Sequence, residues 1–70
     1  MNKIEMGESL KMYRELNGLN CLQVARKIGA SPALIKRWEQ SEHCPQLYFV
    51  VQLADLFDVS IDELVGRERK

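Results

Sequence analysis

Two short helical patterns separated by a three-residue turn constrain this chain more than any other feature in it. Between Asn20 and Gln40 the apolar residues Val24, Ala25 and Ile28 recur at helical spacing. Gly29-Ala30-Ser31 then intervenes, and Leu34, Ile35 and Trp38 resume the pattern. Helices joined by so short a connection cross steeply, and their backbones approach only where the side chain at the crossing is small, as Ala25 is. Gly29 suits the turn and Ile35 the core beneath it. The second helix is left protruding, with its N-terminal turn accessible.

Local signals extend the helical reading along the whole chain. Met6, Leu10, Tyr13 and Asn17 predict a first helix over about 5–17, stopped by Gly18. Asn20 followed by Gln23 has the form of a capping box opening a helix over 21–28, which Gly29 ends. Ser31-Pro32 pairs a hydroxyl N-cap with proline at the first helical position, predicting a helix over 32–40. A loop carrying His43, Cys44 and Pro45 follows. Leu47, Val50, Val51, Ala54 and Phe57 predict a fourth helix over 46–57. Ser60 with Glu63 forms a further capping box for a short helix over 61–65, with Ile61, Leu64 and Val65 facing inward, closed by Gly66 before a basic tail at 67–70. No segment alternates with period two, so the expected fold class is all-α: one compact domain of five helices spanning residues 1–70.

Ten Lys and Arg balance ten Asp and Glu, for a formal net charge of zero. That excludes a uniformly basic nucleic-acid binder, but the charges are segregated. Leu22 to Arg37 holds Arg26, Lys27, Lys36 and Arg37 with no acidic residue, whereas Leu47 to Gly66 holds Asp55, Asp58, Asp62 and Glu63 with no basic one. Two cysteines, Cys21 and Cys44, are too few for a disulfide framework. The polar start from Met1 to Glu5 lacks a secretory pattern, and no apolar run reaches the roughly 20 residues of a membrane span. The expected location is the cytoplasm, with both thiols reduced. Cys21, His43 and Cys44 match no structural zinc spacing, and no nucleophile, acid/base pair or cofactor loop is evident. No metal, cofactor or enzymatic activity is expected.

Read in order, Leu10 to Arg14, Gly18 to Ala25, Gly29 to Ser31, Ile35 to Glu39, Pro45 and Val59 to Leu64 resemble the lambda repressor/Cro-type helix-turn-helix family, in register over nearly the whole chain. The resemblance implies a five-helix lambda-repressor-like domain that binds specific double-stranded DNA, as a homodimer on a palindromic operator, with the helix over 32–40 in the major groove. It also implies an internal ion pair between Arg14 and Glu39. At the DNA it places Cys21, where the family commonly has glutamine, together with Ser31, Pro32, Ala33, Leu34, Lys36, Arg37 and Gln40. Pro32, Ala33 and Leu34 carry no hydrogen-bonding side chain and suit thymine methyls, so polar base readout falls to Lys36 and Arg37. Asn20, Arg26, Lys27 and Ser41 are candidates for phosphate contact. Tyr48, Phe49, Leu56 and Phe57 lie where related repressors pair, and are the expected dimer interface.

The apolar first turn also favours a second reading, a protein-interaction module on the same fold, with Leu22, Leu34 and the aromatics of the fourth helix meeting a protein partner. A stand-alone transcriptional regulator, of the type found in phages and mobile elements, is the first.

Overall fold

In the computed structural model, which describes residues 3–65, five helices follow one another: α1 (Lys3–Leu16), α2 (Cys21–Ile28), α3 (Pro32–Glu39), α4 (Leu47–Phe57) and α5 (Ile61–Val65). The described residues contain no strand. None of these helices is long and apolar enough to cross a membrane. Gly66 and the basic tail expected at 67–70 lie outside the described residues.

The helix starts are set by short-range chemistry. Asn20 Oδ1 accepts the Gln23 backbone N–H at 2.8 Å while Gln23 Oε1 accepts the Asn20 N–H at 2.8 Å, which closes the capping box. Ser31 Oγ accepts the Leu34 N–H at 3.1 Å ahead of Pro32. Ser60 and Glu63 exchange the same reciprocal pair at 3.0 and 2.9 Å. Each device satisfies backbone donors that a helix N-terminus otherwise leaves open. Replacing Asn20 with alanine should therefore cost about 1 kcal/mol, roughly 4–8 °C in melting temperature for a domain this small; circular dichroism melts of Asn20→Ala and wild type check it.

Helix ends differ from the sequence expectation by one or two residues. α1 begins at Lys3 rather than 5 and stops at Leu16, with Asn17 in the turn that follows and its side-chain amide donating to the Tyr13 carbonyl at 2.7 Å. α3 ends at Glu39, with Gln40 as its C-cap. Gln46 is the N-cap of α4, not its first residue, and makes no side-chain cap hydrogen bond.

Every helix contributes to one core: Met6 and Leu10 from α1, Val24, Ala25 and Ile28 from α2, Ile35 and Trp38 from α3, Val50, Leu53, Ala54 and Phe57 from α4, and Leu64 and Val65 from α5. Of the residues whose spacing predicts α4, Leu47 and Val51 are exposed, while Leu53 is fully buried. Ile61 is likewise exposed. α4 is apolar on nearly every side, so its spacing alone does not fix which side faces in.

Gly7, in the middle of α1, is buried at the C-terminal end of α3. A β-carbon there would fall 2.7 Å from the Trp38 carbonyl oxygen, 2.9 Å from that of Glu39 and 2.7 Å from Ser41 Oγ. This crossing is backbone against backbone.

Candidate functional site

The turn between α2 and α3 is built as its spacing requires. Gly29 takes a left-handed φ of 76° and donates its N–H to the Ala25 carbonyl, and Ala30 bonds the same carbonyl at 2.9 Å. A β-carbon at Gly29 would meet nothing within 4 Å, so backbone conformation and not space calls for glycine. Ala25 is buried at the α2 side of the turn and Ile35 is fully buried beneath α3.

What α3 leaves outside is short and mixed in character. Ser31, Pro32, Ala33, Lys36, Arg37 and Gln40 are all exposed. Leu34 is half-buried and packs on the core, which sets it apart from Pro32 and Ala33 as a candidate base contact. Ser31 Oγ accepts the capping N–H of Leu34, which leaves its hydroxyl proton for a second acceptor. Cys21, at the first position of α2, is half-buried and packs on the core. Asn20 has its side-chain oxygen committed to the cap. Arg26 and Lys27 are exposed on the last turn of α2, as Lys36 and Arg37 are on the last turn of α3, where cations also complement the helix dipole. Ser41 follows α3 with a left-handed φ of 64°. The acidic set Asp55, Asp58, Asp62 and Glu63 is exposed on α4, α5 and the turn between them.

Behind this surface, Arg14 fastens three parts of the chain. Its Nε donates to Glu39 Oε2 at 2.6 Å, Nη2 donates to Glu39 Oε1 at 3.1 Å, and Nη1 donates to the Leu19 carbonyl at 2.9 Å. The Arg14 and Glu39 side chains are only 14% and 8% exposed. The hydrogen bond to Glu39 raises the Arg14 pKa above its ordinary value against the opposing effect of burial. A bidentate pair in a shielded position fixes orientation as well as distance. α1 thereby grips the C-terminal end of α3 and the loop entering α2.

A second tie runs through aromatic rings. Trp38 of α3 lies 5.3 Å from Phe49 of α4 between centroids, and Phe49 meets Tyr48 edge-on at 5.2 Å. Phe57, an expected interface residue, is buried and stacked on Tyr13 at 6.1 Å, and so belongs to the core. Leu56 is half-buried against that core, as is Phe49, so Tyr48 is the exposed member of the expected set. The more exposed apolar residues of α4 are Leu47, Tyr48 and Val51.

Two short helices joined through a left-handed glycine turn, the second with an exposed outer side and an internal clamp on its far end, form a helix-turn-helix unit. Residues 5–65 match the family model described as a helix-turn-helix domain. The chain belongs to the helix-turn-helix family. This helix-turn-helix chain is 34% identical over 64 residues to the cryptic phage CTXphi transcriptional repressor RstR of Vibrio cholerae serotype O1, a match that covers 91% of the chain. It spans 57% of that relative's length. Its fold is similar to the P22 c2 repressor protein, solved in complex with a synthetic operator, at a TM-score of 0.84 and 25% identity, over 90% of this chain and 96% of the other.

Sequence reasoning missed one residue of the helix-turn-helix support, Gly7. A glycine inside a helical pattern reads as a mild defect until the neighbouring backbone is seen. Among the described residues no three His, Cys, Asp or Glu side chains come together as a metal-ligand set.

Proposed function

We propose that this chain is a sequence-specific, double-stranded-DNA-binding transcriptional regulator, a repressor of the phage-related kind, working in the cytoplasm as a homodimer on a palindromic operator. The observation that carries the reading is the exposed side of α3, with Lys36 and Arg37 exposed and the helix end clamped by Arg14, on a chain similar to a phage transcriptional repressor and to a repressor solved on a synthetic operator.

In this reading α3 enters the major groove. Lys36 and Arg37 donate to guanine O6 and N7, the commonest specific contact such side chains make. Pro32 and Ala33 meet thymine methyls. Ser31, Gln40 and the N-terminus of α2 at Cys21 approach phosphates, with Arg26 and Lys27 adding sequence-independent attraction. The basic residues stand on α2 and α3 and the acidic ones on α4, α5 and the turn between them, so a chain of zero net charge still offers DNA a basic helix pair. The second copy docks on the α4 face of Leu47, Tyr48 and Val51. Asp55, one turn beyond Val51, is the one charge within α4, so this face is otherwise apolar.

The test is a fluorescence-anisotropy salt titration on duplexes that the wild type selects from a randomised pool. Binding should weaken as salt rises. Lys36→Ala/Arg37→Ala should lose about 2 kcal/mol or more, roughly 30-fold, and flatten the salt dependence. A wild type that binds no duplex at low salt refutes the regulator reading and favours the interaction module, for which the exposed Leu22, Leu47 and Tyr48 speak.

A further inference from the structure

The C-terminal end of α3 is located by two contacts from α1, and they act in opposite senses. Arg14 pulls, through its paired hydrogen bonds to the Glu39 carboxylate. Gly7, two helical turns earlier and on the same side of α1, sets how near the two backbones come. The carbonyls that a β-carbon at Gly7 would strike belong to Trp38 and Glu39, immediately after Lys36 and Arg37. A carbonyl of the last helical turn cannot rotate away as a side-chain tip does. Trp38 is held in the core, and its carbonyl accepts the Ser41 N–H at 3.1 Å.

We propose that Gly7 is a positioning residue for DNA reading: the absent side chain seats the end of α3 directly on the α1 backbone and so fixes where Lys36 and Arg37 stand. The inference rests on the DNA-binding reading above. Restoring ordinary contact, at 3.4 Å or more, would part α1 from the α3 terminus by roughly 0.7 Å. That exceeds the about 0.5 Å within which recognition groups must be held. Arg14 would resist the separation at Glu39, so the helix tilts about that pair rather than moving off as a whole. A tilt degrades base-edge hydrogen bonds, which are directional, more than phosphate attraction, which is not.

The experiment compares wild type, Gly7→Ala and a cavity control in α5, Val65→Ala, on the duplex selected by the wild type and on a scrambled duplex. All are measured at a temperature where circular dichroism shows each variant folded. Gly7→Ala is also placed on an Asp58→Gly background, because Asp58 holds a left-handed φ of 58° that glycine adopts without strain. The expected result is a tenfold or greater loss on the selected duplex for Gly7→Ala and a smaller loss on the scrambled one, so that discrimination narrows. Val65→Ala should keep the wild-type ratio. Equal discrimination by folded Gly7→Ala and wild type overturns the proposal. Failure of Gly7→Ala/Asp58→Gly to fold also overturns it, and makes Gly7 a residue of stability alone. A wild type that selects no duplex removes the regulator reading and this inference with it, an outcome distinct from a wild type that discriminates as well as its variant.

Discussion

Arg14→Ala should melt at least 10 °C below wild type, while Lys11→Ala, four residues along the same helix from Gly7, should stay within about 2 °C of it. Removing the guanidinium strands a carboxylate that is 8% exposed and also strips the Leu19 carbonyl of its donor. Breaking one side of a buried pair costs about 3–5 kcal/mol, and the lower part of that range applies to a pair that keeps some access to water. Lys11 is exposed, and its loss changes little. Lysine's single ammonium nitrogen cannot grip both Glu39 oxygens side by side and reach the Leu19 carbonyl as the planar guanidinium does, so Arg14→Lys should fall between the two. The Arg14 charge contributes through its raised pKa. That contribution is fully present below the unfolded arginine value and is lost only as pH rises through the still higher folded one. Thermal melts at neutral pH decide the question, and equal melting temperatures for Arg14→Ala and Lys11→Ala would refute it. A cycle with Glu39→Ala should show the double variant less destabilised than the sum of the singles by more than about 1 kcal/mol.

Trp38→Ala should abolish cooperative melting. Trp38 is 2% exposed and is the largest of the fully buried side chains, with Phe49 against it. Truncating a buried tryptophan costs about 3–5 kcal/mol. A domain of this length holds only about 3.5–10 kcal/mol in total. Phe49 would lose its contact with Trp38, keeping only Tyr48 as a ring partner, and the α3–α4 junction would open. Trp38→Phe keeps an aromatic filler and should retain a cooperative transition at a lower temperature. Near-ultraviolet circular dichroism and thermal melts check both. A cooperative Trp38→Ala transition within 5 °C of wild type, a shift of about 1 kcal/mol, would show that the core does not depend on this side chain.

Much of the architecture could be read from residue order because the devices that set it act over three or four residues. Asn20 with Gln23, Ser31 with Pro32 and Ser60 with Glu63 each need only their own backbone, and each sits where the sequence predicts. The Arg14–Glu39 contact was reachable only through family resemblance, since nothing local joins residues 25 apart. The inward side of α4 was not legible. Leu47, Tyr48, Phe49, Val50 and Val51 are consecutive apolar residues, and burial distinguishes them only after α1, α2 and α3 are in place. For the same reason Phe57 looked available for pairing, although Tyr13, 44 positions earlier, covers it. Gly7 was silent because its partners are carbonyls, which carry no residue identity.

Arg14 lies outside the segment from Cys21 to Glu39, yet it holds both that segment's entry at Leu19 and its far end at Glu39. The two helices are consequently not portable. Grafted onto another scaffold without α1, residues 20–40 would keep their caps and their turn, but α3 would hang from the turn by one end. A chimera that exchanges DNA preference with a relative therefore has to carry the first helix along, or alter only the outward residues of α3 and leave its moorings intact.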